Sequence, residues 1–239
     1  MKSRWFVCLL ASVVVMLAVD RSVAQGSTLL VDNFTRDSRL NTNLWTPNST
    51  FLDALAGASS SPPASFVSPE LTFGHRSGMR MAGPTEDYQT TGVQSLATFT
   101  PPFTVLAYVT GDHGTADLFE IFLANPDLTQ FLTVTADVNP TYDGIWATAP
   151  NISEMWQLGE QFSPSISPAL YTTYQVTIKV DTQGAAIAIV ENLAGTVLST
   201  VSNLETGTGP FYLVLGQRIG DAPEGSQVAD WSYVTVTTP

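Results

Sequence analysis

The chain is 239 residues long and acidic, with 9 Lys and Arg against 21 Asp and Glu, a formal net charge of −12, 44% hydrophobic and only 13% charged residues. That composition suits one packed domain and excludes a disordered tail, a collagen-like rod or a membrane bundle. The negative field also argues against nucleic acid and anionic membrane surfaces as partners.

The first predicted element is an export leader. Lys2 and Arg4 precede an apolar run from Trp5 to Val19, and Ser22-Val23-Ala24 places small residues before Gln25, so cleavage is expected after Ala24. An uncleaved anchor needs about 20 apolar residues, and Phe6–Val19 supplies fourteen before Asp20. Removing residues 1–24 leaves 239 − 24 = 215 residues, with 6 basic against 20 acidic side chains and a net charge of −14. The single cysteine, Cys8, departs with the leader. The expected mature chain, residues 25–239, therefore has no disulfide, no thiolate nucleophile and no cysteine metal ligand, and is exported to the periplasm or the exterior. Its core alone must stabilise it, which is feasible because a domain of this size buries roughly 70% of its unfolded surface.

Beyond Thr28 the apolar pattern is short, alternating and broken by turn residues. Strands are predicted in chain order at Leu29–Phe34, Gly78–Ala82, Gly92–Phe99, Phe103–Thr110, Ala116–Ala124, Gln130–Ala136, Tyr142–Thr148, Tyr171–Val180, Ala185–Val190, Thr196–Val201, Phe211–Gln217 and Asp230–Thr237. Tyr171–Val180 shows the grammar: Tyr174, Val176, Ile178 and Val180 share one face, and Gln175, Thr177 and Lys179 the other. No segment past the leader sustains helical spacing, so helix is expected only as single turns, with Ser38–Asn43 as a candidate. Ala56–Ser65, rich in Ala, Gly, Ser and Pro, reads as a long surface loop within one domain, because as a linker it would strand a piece too small to fold. About a dozen short strands with Gly and Pro punctuation predict an all-β, two-sheet antiparallel sandwich.

Two bracketing segments carry a resemblance. Leu30-Val31-Asp32-Asn33-Phe34 followed by Leu40-Asn41-Thr42-Asn43-Leu44-Trp45 resembles the opening of concanavalin A-like lectin/glucanase jelly rolls, including family 16 glycoside hydrolases and laminin G-like domains. Gly209–Gln217 and Ala229–Val236 resemble the last two strands of such a domain. The resemblance implies a jelly roll over residues 28–237, with pairing of the first and last strands and glycan binding on a concave sheet. It also sets a test. Family 16 enzymes carry Glu-x-Asp-x-(x)-Glu on one central strand, since retaining hydrolysis needs two carboxylates about 5–5.5 Å apart. This chain has no such triplet; its nearest strand offers Asp117 and Glu120, which in a regular strand point to opposite faces.

Glycan recognition by this superfamily combines aromatic stacking with hydrogen bonding to hydroxyls, which singles out Trp146, Tyr142, Trp156 and Tyr88 as aromatic candidates and Gln94, Glu120, Gln217 and Arg218 as polar ones. Trp146 and Tyr142 share a strand face, as a stacking groove requires, although large aromatics also fill cores. Glu120, between Phe119 and Ile121, either faces a polar groove or needs a partner such as Arg218 or Arg80. Asp112-His113-Gly114 with Asp117, and Asp137-Val138-Asn139 with Asp143, are acidic loops able to offer oxygen ligands to calcium, without an ordered ligand spacing. No cofactor is otherwise expected. Asn33, Asn48 and Asn151 fit the N-glycosylation acceptor pattern, to which no function is attached. Three readings result: a secreted carbohydrate-binding jelly roll without catalysis, a polysaccharide hydrolase or lyase with Glu120 as acid or base, and a structural or adhesive surface protein.

Overall fold

The computed structural model describes residues 26–58, 63–75, 78–83, 88–113, 117–137, 144–151, 170–219 and 228–239. The leader, Tyr142 and Trp156 lie outside the described residues, as do most of the two acidic loops weighed for calcium. In chain order the strands are β1 (Thr28–Asp32), β2 (Trp45–Thr46), β3 (Ser65–Phe66), β4 (Glu70–His75), β5 (Gly78–Ala82), β6 (Gln89–Ser95), β7 (Phe103–His113), β8 (Asp117–Ala124), β9 (Phe131–Asp137), β10 (Gly144–Thr148), β11 (Thr173–Val180), β12 (Ala185–Asn192), β13 (Val197–Glu205), β14 (Tyr212–Ile219) and β15 (Val228–Thr237). One α-helix, α1 (Thr50–Ala58), and a 3-10 turn at Phe34–Arg36 complete the set among the described residues.

The strands form two sheets. The eight-stranded sheet runs β13-β12-β11-β7-β15-β5-β4, with β1 also paired to β15; the seven-stranded sheet runs β10-β9-β8-β14-β6-β2, with β3 on β6. All pairs are antiparallel except β3 with β6. The fold is therefore the expected all-β sandwich, and the first strand pairs with the last: Leu30 opposes Val236 and Asp32 opposes Val234.

Period-two patterning places one side of each sheet in a shared core. From the eight-stranded sheet come Val105, Ala107, Val109, Tyr174, Val176, Ile178 and Trp231; from the other, Phe119, Ile121, Leu132, Val134, Leu213 and Leu215. Trp231 packs edge-on against Phe119 across the layers, ring centroids 6.2 Å apart. Near the opening strand Trp45 donates its indole N–H to Asp32 Oδ2 at 2.8 Å, which fixes the strand and the loop that returns from it.

Two expectations are corrected here. Ser38–Asn43 forms bends and a turn about Asn41, while the single helical turn falls earlier, at Phe34–Arg36. Helix is also not confined to single turns. The stretch leading into Ala56–Ser65 holds the nine-residue α1, whose Leu52, Leu55 and Ala56 recur at helical spacing and are buried. A helix this short is marginal alone. It persists because Leu52 and Leu55 pack on Phe122, Ala124 and Val214 of the seven-stranded sheet.

Candidate functional site

The seven-stranded sheet has one face in the core and one turned away from it, and the second face holds the polar candidates. Its strand register aligns one row across five strands. Gly92 of β6 opposes Gly216 of β14, Gly216 opposes Glu120 of β8, Glu120 opposes Thr135 of β9, and Thr135 opposes Trp146 of β10. The next row toward α1 reads Gln94, Val214, Phe122, Thr133 and Thr148. A polar row and a partly apolar row thus lie side by side, and α1 covers part of the apolar one.

Glu120 is only 1% exposed, and its Oε1 accepts a hydrogen bond from the Thr135 hydroxyl at 3.2 Å. That contact sets the rotamer of both side chains on the row. Trp146 is partly buried on the terminal strand of the sheet and also packs against the core. Gly92 and Gly216 leave bare backbone beside Glu120. A Cβ on Gly216 would fall 2.5 Å from the Thr91 carbonyl oxygen, and one on Gly92 would fall 2.8 Å from that of Leu215, so side chains are excluded there by close backbone approach.

The remaining candidates divide. Gln94 is on this face but buried, and its Oε1 accepts from Ser49 Oγ at 2.5 Å. Ser49 Oγ in turn accepts the Leu52 N–H at 3.1 Å, capping α1, so Gln94 anchors the start of the helix. Gln217 points the other way. It follows Leu213 and Leu215 in phase, is 0% exposed and donates its amide N–H to the Leu118 carbonyl at 3.2 Å, which removes it from the expected glycan face. Arg218 holds a position on β14 opposite Thr90, with its side chain outside the described set. Arg80 belongs to the other sheet, where it forms an ion pair with Asp230 at 3.4 Å; it is therefore not the Glu120 partner expected from sequence. Tyr88 sits in a turn just before β6 with φ at 55°, its carbonyl accepting the Ser65 N–H.

The register corrects a further expectation. Between Asp117 and Phe119 the β8–β9 pairing slips by one residue, so Asp117 stands opposite Asp137 while Glu120 stands opposite Thr135. Such an irregularity breaks the strict two-residue alternation of a regular strand between these positions. Asp137, buried and two residues beyond Thr135, shares the Glu120 side of the sheet. Sequence reasoning passed over Thr135 and the two glycines, and weighed Asp137 only as a loop carboxylate for calcium. The glycines did leave a signal, since a Gly inside a strand pattern marks close backbone approach. Among the described residues no group of three or more His, Cys, Asp or Glu side chains could hold a metal ion.

This arrangement of two sheets matches solved structures over most of the chain. The fold is a family 16-like jelly roll. An apo Crh5 transglycosylase superposes with a TM-score of 0.55 at 12% identity, covering 87% of this chain and 83% of its own. A β-agarase A in complex with oligoagarose gives 0.57 at 11% identity over 89% and 92%, and a laminarinase from Flavobacterium sp. UMI-01 gives 0.53 at 12% over 89% and 100%. At such identities the likeness concerns the concanavalin A-like fold. No protein-family model matches the chain, and no curated protein matches it. On the Glu120 strand the position two on is Phe122, and four and five on are Ala124 and Asn125. Phe122 and Ala124 pack beneath α1.

Proposed function

We propose that this is an exported protein that binds a neutral polysaccharide across the outer face of its seven-stranded sheet without cleaving it. One observation carries the reading: on the strand that holds Glu120, the next positions on the same face are Phe122 and Ala124, apolar and built into the seat of α1. Glu120 then stands as an acceptor in a row of hydrogen-bonding and aromatic groups. The row spans four inter-strand steps of about 4.8 Å, roughly 19 Å from Gly92 to Trp146, the length of a short oligosaccharide. In this reading Trp146 stacks on a sugar ring, Glu120 and Thr135 hold hydroxyls, and the bare backbone at Gly92 and Gly216 lets a ring lie close. Arg218, Tyr142 and Trp156 remain candidate sugar contacts in this reading. The net charge disfavours polyanionic glycans. The structural neighbours are carbohydrate-active enzymes by name, which supports a sugar ligand.

The test is binding of wild type and Trp146→Ala to a panel of agaro-oligosaccharides, β-linked gluco-oligosaccharides and acidic glycans. Wild-type binding to a neutral member, weakened at least about tenfold by Trp146→Ala, is the expected result. Binding to none of them overturns the reading.

Hydrolysis with Glu120 as the acid is the second reading, and one observation favours it. Asp137 lies diagonally across from Glu120 on the neighbouring strand, and such diagonal pairs are about 7–8 Å apart. Two carboxylates on adjacent strands of one face could act as an acid and base pair. Reducing-end release from the same panel, abolished by Glu120→Gln and by Asp137→Asn, would replace the first reading with this one.

A further inference from the structure

The outer face of the eight-stranded sheet, on the opposite side of the molecule, carries a second organised row. Tyr233 of β15 opposes Tyr108 of β7, Tyr108 opposes Gln175 of β11, and Gln175 opposes Glu191 of β12. The two tyrosine rings lie side by side with centroids 6.2 Å apart. The Tyr108 hydroxyl donates to Gln175 Oε1 at 2.7 Å, and Gln175 Nε2 donates to Glu191 Oε2 at 2.6 Å. All four side chains are half-buried, so the row is open to solvent from above.

The adjoining row is polar as well. Arg80, Asp230, Thr110 and Thr173 follow one another in register, tied by the Arg80–Asp230 ion pair and by a 2.6 Å hydrogen bond between the two threonine hydroxyls. Just past the start of the segment leading into β11, Tyr171 is 72% exposed and held at φ +60°, with its N–H bound to the Gly111 carbonyl at 2.7 Å. A left-handed conformation is strained at a large non-glycine residue, and so exposed a ring gains little from packing in return.

We propose that this face is a second glycan-contact surface, independent of the Glu120 row, which makes the protein bivalent toward a polysaccharide. The occupant is argued from chemistry. Aromatic rings beside amide, hydroxyl and carboxylate groups whose mutual hydrogen bonds already fix their orientation suit a chain of neutral sugar rings, with Glu191 accepting from hydroxyls. The acidic net charge repels a polyanion, and a purely apolar partner would strand the polar groups. Two sites on opposite faces of one polysaccharide-binding domain would raise avidity for long or insoluble chains well above that for short ones. The inference rests on the proposed glycan-binding reading for the kind of ligand, but on different residues.

The experiment is calorimetric titration of the full mature chain with agaro- and β-gluco-oligosaccharides, with retention on the matching insoluble polysaccharide as a second readout. Wild type should bind two oligosaccharides. Tyr233→Ala and Tyr108→Ala should leave one site and lower retention at least about tenfold, and Trp146→Ala should leave the other site. Tyr108→Phe, which keeps the ring and folding but frees Gln175, should weaken only the second site. A single site removed by Trp146→Ala alone overturns this inference and keeps the first reading. A single site removed by the tyrosine variants alone does the reverse, and no binding at all overturns both.

Discussion

Replacing Asp32 by asparagine should stabilise the protein at neutral pH and leave it unchanged in acid. Asp32 is 6% exposed, and its carboxyl is pushed up from 3.8 to about 6. Burial is the main cause, followed by the hydrogen bond and charge of neighbouring Asp37, while the Trp45 indole N–H and the Asn33 backbone N–H pull the other way. A carboxyl with a raised value in the folded state holds its proton more tightly there than in the unfolded chain. Its contribution is therefore fully present below about 3.8, and it is lost as pH rises through about 6. The gap of 6 − 3.8 = 2.2 units corresponds to about 3 kcal/mol at about 1.36 kcal/mol per unit. The amide of the Asp32→Asn variant would keep an oxygen for the Trp45 N–H and need no ionisation.

The assay is thermal or urea unfolding of wild type and Asp32→Asn from pH 3 to pH 8, read as the difference between them. That difference cancels the many other carboxylates, whose combined pH dependence would hide a single site in the wild-type curve alone. The variant should gain roughly 2–3 kcal/mol at pH 7.5, several degrees of Tm for a domain of this length. The gain should shrink below pH 6 and vanish near pH 3.5. A variant less stable by the same amount at every pH would refute the reasoning, because the Trp45–carboxylate bond would then outweigh the burial of the charge.

Two further substitutions probe the site's frame. Ser49→Ala removes the cap on the Leu52 N–H and the contact to Gln94, and should cost about 1 kcal/mol, or roughly 2–4 °C in Tm, measured by calorimetry. Gly216→Ala sets a Cβ 2.5 Å from a backbone carbonyl that cannot swing aside, and should cost about 1–3 kcal/mol while weakening glycan binding. Gly144→Ala on the same sheet, where a Cβ would meet nothing within 4 Å, should fall within about 0.5 kcal/mol of wild type and serves as the control.

The layering of this protein was legible wherever a strand has one wet face. The alternation of Tyr174, Val176, Ile178 and Val180 with Gln175, Thr177 and Lys179 is the burial pattern of β11 residue for residue. Legibility failed where both faces are covered. In β8, Phe119 and Ile121 face the core and Phe122 and Ala124 face α1, so no alternation marks the side on which Glu120 lies. The helix itself was hidden because nine residues carry too little periodicity to stand out, and what stabilises it is a sheet surface assembled from β8 and β14. Gln217 is a different case: its phase with Leu213 and Leu215 already pointed inward, and its polarity outweighed its parity in the reading. The Arg80–Asp230 pairing, by contrast, joins positions 150 residues apart and depends on which strands become neighbours.

The placement of α1 ties the fold to the functional reading. Carboxylates at positions 122 and 124 would have to ionise beneath Leu52 and Leu55. Burying unpaired charges there would be far costlier than the marginal stability of a nine-residue helix, so the helix would leave the sheet. A docked α1 and ionised side chains at positions 122 and 124 are therefore mutually exclusive occupants of one surface. The chain has committed that surface to packing: Ser49 caps the helix, Gln94 holds the cap, and Phe51 packs at a tilt against Tyr212 at a centroid distance of 4.8 Å. The row from Gly92 to Trp146 runs beside that covered surface, and on it the buried Glu120 carboxylate accepts from the Thr135 hydroxyl.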